Sequence, residues 1–253
     1  MEISALMRKA FNAYKEKIWE IVIVSLIVLI GIVISTMAVV AVFVVNGFYT
    51  LNIEKNLLSI LGTVAIVLVL AGLLIIWLYS VLYSVLESAV KRRKRNLKEY
   101  FKRGGEKLLS LIGVSIVSSI IILIPPAVIA GIGYIINLYI PALIIGGVLA
   151  IYFSIRLLFS VPLIYLADRK ALEAIKESFV VTKKYLGDST KIYIVTILIG
   201  ILSALVSMVP IIGSLIQFLF FVPYASLIVF HGCQELYKSK KKVVRRKVTR
   251  KKK

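Results

Sequence analysis

Along most of the chain apolar residues run on without the regular polar interruptions of a water-soluble fold. Six runs are long enough to cross a hydrocarbon core of about 30 Å, which takes roughly 20 residues in a helix. They lie near Ile18 to Val45, Leu57 to Leu86, Leu108 to Ile136, Pro141 to Leu166, Ile192 to Val209 and Ile211 to Phe230. The last two are separated only by Pro210 within SMVPIIGS. Together they are about twice a span, and Pro with Gly stops a helix, so the pattern predicts two short helices and a tight turn.

Between the runs the periodicity changes. SALMRKAFNAYKEKIW, NLKEYFKRGGEKLL and KALEAIKESFVVTKKYL each start at a Leu, pass through basic and aromatic positions, reach a Lys and enter an odd-numbered run. This predicts three units, each an amphipathic helix followed by a helical hairpin. In the third segment Leu172, Ile175, Phe179 and Leu186 share one helical face, while Arg169, Lys170, Glu173, Lys176, Glu177, Lys183 and Lys184 fall mainly away from it. Such a helix lies in the headgroup plane, with Phe179 toward the acyl boundary and Lys170, Lys176, Lys183 and Lys184 toward anionic lipid. A second reading, with the apolar face packed on the ends of the other helices, follows equally from the same pattern.

Composition adds the solvent. Hydrophobic residues are 60% of 253 and mean hydropathy is +0.98, above the roughly 45–50% of soluble chains. The net charge of +20 points to nucleic acid or to the anionic face of a membrane, and the positions of the cations decide between them. All but two of the 32 Lys and Arg fall up to Lys17, in Lys91 to Lys107, in Arg169 to Lys191 or in Lys238 to Lys253. Six crossings put those four segments on one side, which the positive-inside rule makes cytoplasmic, with both termini inside a cell membrane. The first run is too long for a signal core, so it is expected to remain as a span. The tail KSKKKVVRRKVTRKKK is dense in like charge and is expected to lack regular structure in isolation. Its partners are anionic headgroups or, as the alternative, RNA or the ribosome; the lack of an aromatic residue after Tyr237 favours lipid.

The fold class is therefore all-α: a polytopic membrane protein with six transmembrane helices and cytoplasmic amphipathic helices. Residues 1–237 form the membrane domain and 238–253 the basic tail.

Candidate chemistry is sparse. No GxxxxGK[ST], GxSxG or HExxH pattern occurs, the intramembrane acids that drive ion-coupled transport are missing, and the acids of the inner segments pair with lysines at helical spacing. No catalysis and no cofactor are expected. His231, Cys233 and Glu235 supply too few ligands for a structural zinc, and Cys233 has no second cysteine to pair with. The intramembrane polar candidates are Arg156, Ser154, Ser160 and Gln217. An arginine within a span costs about 2.5–3.5 kcal/mol on insertion scales, so Arg156 either snorkels, once Pro162 breaks the helix, or lines a polar cavity. Small residues on the fifth run (Thr196, Gly200, Ser203, Ala204, Ser207) and on the third (Ser115, Ser118, Ser119) predict close helix packing, and Pro125–Pro126 a kink.

RLLFSVPLIYLADRKALEAIKESFVVTKKYLG resembles the signature of a loose family of six-span proteins that includes the membrane domain fused to some glycerophosphodiester phosphodiesterases. The matching positions are Arg156, Pro162, Asp168, Ala174, Ile175, Ser178, Thr182 and Lys183. The sequence has no phosphodiesterase domain, so the resemblance does not imply that activity. Two functions stand at this point. One is a membrane scaffold or envelope-maintenance component contacting anionic lipid and other membrane proteins; the other is a transporter or insertion factor with a hydrated groove around Arg156.

Overall fold

A computed structural model describes the backbone of residues 1–49, 53–209 and 211–251 and the side chains of 1–42, 44, 62–209 and 211–240. Among the described residues every regular element is helical: α1 Ile3–Glu16, α2 Ile18–Tyr49, α3 Ile53–Lys91, α4 Leu97–Ile135, α5 Tyr139–Leu157, α6 Ser160–Leu166, α7 Ala171–Lys184, α8 Leu186–Ser207, α9 Ile212–Ile216 and α10 Val222–Lys251. Six stretches are long and apolar enough to span: Ile18–Val42, Gly62–Lys91, Leu97–Ile135, Tyr139–Leu166, Leu186–Ser207 and Ile212–Lys240. The chain is an all-α polytopic membrane protein. Pro210 lies outside the described residues; the fifth and sixth spans are separate helices on either side of it.

Helices pair in chain order, α2 with α3 and α4 with α5, and α8 packs on α9 and α10. Their buried residues collect at the basic end: Ile21, Val24 and Val28 on α2, Leu78 to Val90 on α3, Leu163 to Tyr165 on α6, and Leu227 to Leu236 on α10. Toward the opposite end Ile34, Met37, Val69, Leu70, Tyr134, Leu143 and Ile211 are exposed. Ion pairs tie all four basic segments together at one end: Met1 ammonium to Asp188 (3.1 Å), Lys9 to Glu235, Arg103 to Asp168 and Lys240 to Glu177.

The three inner segments differ from the repeat expected. The first and third are separate helices, ending at Lys17 and Tyr185 in non-helical backbone. The second is one helix with its span, α4, started by Asn96, whose side chain accepts the Glu99 N–H at 2.9 Å. Gly104 does not break it, because α3 lies so close that a Cβ there would sit 2.9 Å from the Val81 backbone nitrogen. α10 likewise runs on to Lys251, through the tail expected to lack regular structure. Lys and Arg are good helix formers, and extending an existing helix avoids the unfavourable nucleation step.

Prolines mark where backbone groups must find other partners. Pro125 and Pro126 lie inside α4, with Gly146 of α5 against Pro126. Pro223 cannot donate to the Leu219 carbonyl; the helix there widens into a π turn over Gln217–Phe221, and the Tyr14 hydroxyl of α1 donates to Leu219 O at 2.8 Å. The small-residue stripe on α8 is only partly a contact face. Ser203 is buried, whereas Gly200 is exposed and has open space beside it.

Candidate functional site

The fourth span is two helices. Pro162 has no N–H to give the Leu158 carbonyl; the helix is interrupted after Leu157, leaves helical geometry at Phe159 and restarts as α6, where Pro162 occupies the first turn and its missing donor is harmless. The break strands two backbone groups that one side chain of α7 recovers. Ser178 Oγ donates to Arg156 O (2.7 Å) and accepts the Phe159 N–H (3.2 Å). Thr182 Oγ1 sits 3.4 Å from the same carbonyl and 2.8 Å from Ser178 O. Ala174, Ile175, Ser178, Val181 and Thr182 are the buried face of α7.

Leu172 is 60% exposed, and so, at 45%, is Leu186, which opens α8 rather than continuing α7. Of the expected set, Ile175 is buried and Phe179 is half-buried. Lys170, Lys176, Lys183 and Lys184 are all exposed, and Lys184 Nζ lies 5.3 Å from the Tyr185 ring.

Arg156 is the penultimate residue of α5 and lies beside α7. It is 9% exposed, and its guanidinium lies 5.1 Å from the Phe179 ring and 5.7 Å from that of Tyr152. Such contacts are each worth about 0.5–2 kcal/mol, more when desolvated. Its Nε is buried without a hydrogen-bond partner, as is Ser160 Oγ. Ser154 is half-buried one turn before the break. Gln217 is elsewhere: it opens the π turn, whose neighbours are α2, α8, α9 and α10.

The densest electrostatics centre on a carboxylate of α3 that the sequence pattern does not single out. Glu87, fully buried near the end of α3, accepts from Lys91 Nζ (2.7 Å), Arg95 Nη1 (3.0 Å) and Arg103 Nε (3.4 Å). Arg103 bridges on to Asp168, which also binds Lys107 Nζ (2.9 Å), and Lys91 donates to Tyr165 O (3.1 Å). Asp168 has φ 54°, left-handed backbone that glycine adopts most easily; the carboxylate is what an aspartate adds there. Burial raises its pKa, but hydrogen bonds from Lys107 and Arg103 outweigh that and hold the carboxyl below the usual range.

Beneath this network Ser80, Ser84 and Ser88 face α4 at four-residue spacing. Ser80 Oγ donates to Gly104 O (2.7 Å), Ser84 Oγ reaches Tyr100 O (3.0 Å), and Ser88 Oγ meets Tyr100 OH (3.0 Å). The signal in the sequence is one acid, Glu87, ahead of a run of cations. Two small cavities of about 220 and 210 Å³ flank Tyr83 and Val161 between the spans; neither is lined by Arg156. Among the described residues no three potential metal ligands come together.

No curated protein and no solved structure matches the chain. Residues 126–232 match the family described as the membrane domain of glycerophosphoryl diester phosphodiesterase, so over rather less than half its length, including the whole of the α5–α7 assembly, this multi-pass membrane protein resembles that domain.

Proposed function

We propose that the chain is a membrane scaffold without catalytic activity, which gathers anionic lipid, and through it other membrane proteins, around the outer face of α7. The observation that carries this reading is the division of labour on that helix. Ser178 and Thr182 are committed to the backbone break, while Lys170, Lys176, Lys183 and Lys184 are left exposed. Signature residues that hold one another in place leave few groups for turnover, and lysines near a bilayer surface attract anionic headgroups by about 1 kcal/mol each.

The test is reconstitution of the full chain in bilayers mixing zwitterionic and anionic phospholipid, with the protein-bound lipid counted by mass spectrometry. Enrichment of anionic lipid is expected, and replacing Lys170, Lys176, Lys183 and Lys184 together by Gln should remove most of it. Bound lipid that mirrors the bulk mixture, or is unaltered by the four substitutions, rejects the reading.

The competing reading, a transporter or insertion factor working through Arg156, draws on the unpartnered buried Nε. It requires Arg156→Leu to abolish transport or insertion in a folded protein, whereas the scaffold reading expects anionic-lipid enrichment to survive that substitution.

A further inference from the structure

At the basic end, α1, the end of α3 and α10 enclose a groove of about 700 Å³, within the range of small-molecule sites. Five cations line it. Lys91 is held by Glu87 and Lys9 by Glu235, leaving Arg92, Arg93 and Lys238 without an ion pair among the described residues. Glu16 is the one lining carboxylate similarly unpaired. Neutral hydrogen-bonding groups complete the lining: the amides of Asn12 and Gln234, and His231, whose Nε2 is buried without a partner.

The backbone supplies an independent observation. α3 closes with the Arg93 N–H on Ser88 O (2.9 Å) and Arg92 at φ 51°, the position after a helix where glycine is usual. An arginine in left-handed geometry is disfavoured, and here its side chain forms part of the groove wall. Guanidinium groups match phosphate oxygens in pairs. We infer that the groove between α1, the Arg92–Arg93 turn and α10 binds a phosphate-bearing anion, either the headgroup of an anionic phospholipid or a soluble phosphate compound. The site is separate from the α7 lysines and does not depend on the function proposed for them.

The test uses the full chain in neutral detergent and follows thermal unfolding in two arms. One titrates inorganic pyrophosphate; the other compares short-chain phosphatidylglycerol with phosphatidylcholine. A saturable stabilisation in at least one arm is expected. Arg93→Gln should weaken it about tenfold or more, the loss of a charge-assisted contact. Arg92→Gly should weaken it similarly while folding at least as well as the parent, since glycine relieves the left-handed residue. A response to phosphatidylglycerol alone identifies the headgroup as the source; one to pyrophosphate alone identifies a soluble phosphate; a response in both arms identifies a site for phosphate in either form. No response in either arm overturns the inference. It is equally overturned by a response that both arginine variants retain and only the four-lysine α7 variant loses, which would place the binding on α7.

Discussion

Ser178 is the residue on which the α5–α7 assembly turns, because one hydroxyl satisfies both a carbonyl and an N–H released by the break at Leu158–Phe159. Removing it leaves the buried Phe159 N–H unpaired and the Arg156 carbonyl with only the longer Thr182 contact, at about 1–3 kcal/mol for such a loss. Ser178→Ala should therefore lower the thermal unfolding midpoint clearly, while Ser154→Ala, half-buried nearby, should change stability by less than about 0.5 kcal/mol; unfolding of the purified variants in one detergent compares them. The signature residues were legible in the sequence as a set, but not their purpose. Pro162 announces a break, yet which side chain repairs it depends on α7 folding back over α5, a contact that no local periodicity encodes. Phe179 shows the same limit: its contact with the Arg156 guanidinium is not encoded in the apolar stripe it belongs to.

For whole helices, hydropathy located the six spans to within a few residues at most ends, since a hydrocarbon core leaves little choice of length. It separated an inner helix over NLKEYFKRGGEKLL from a span beginning at Leu108, where the chain forms one continuous helix through Gly104 and Gly105. These two glycines have different surroundings. A Cβ on Gly104 would press on the Val81 backbone at 2.9–3.0 Å, whereas one on Gly105 would meet nothing within 4 Å. Gly104→Ala should destabilise by about 1–3 kcal/mol, as overpacking does, and Gly105→Ala should be neutral or stabilising by up to about 1 kcal/mol through helix propensity. Opposite signs in the same unfolding assay would verify the close approach of α3 and α4; equal losses would contradict it. The serines of α3 that hydrogen-bond across this contact were hidden in an otherwise apolar run, where hydropathy averages them away.

In the molecule as a whole, the basic end is joined by ion pairs reaching across the sequence. Arg103 and Lys107 of α4 hold Asp168 ahead of α7. Because the folded carboxyl titrates below its unfolded value, its contribution to stability is complete above the ordinary carboxylate range, near pH 4, and is lost as pH falls through the lower folded value. Thermal stability measured from pH 7 downward should show this acid loss in the parent chain. Asp168→Asn, which keeps a residue tolerant of left-handed backbone, should be less stable at pH 7 and should lack that part of the acid dependence. A parallel pH profile in the variant would show that the pair contributes nothing. One-sided placement of the cations was legible from spacing alone; that they converge on so few carboxylates required the folded chain.

The concentration of buried side chains at one end of the bundle has a consequence for the other. There many of the described side chains are exposed to the surroundings, so bilayer thickness and chain order bear directly on how steeply those halves lean. A membrane that thins or stiffens would re-aim the free ends of the hairpins while their roots stayed clamped.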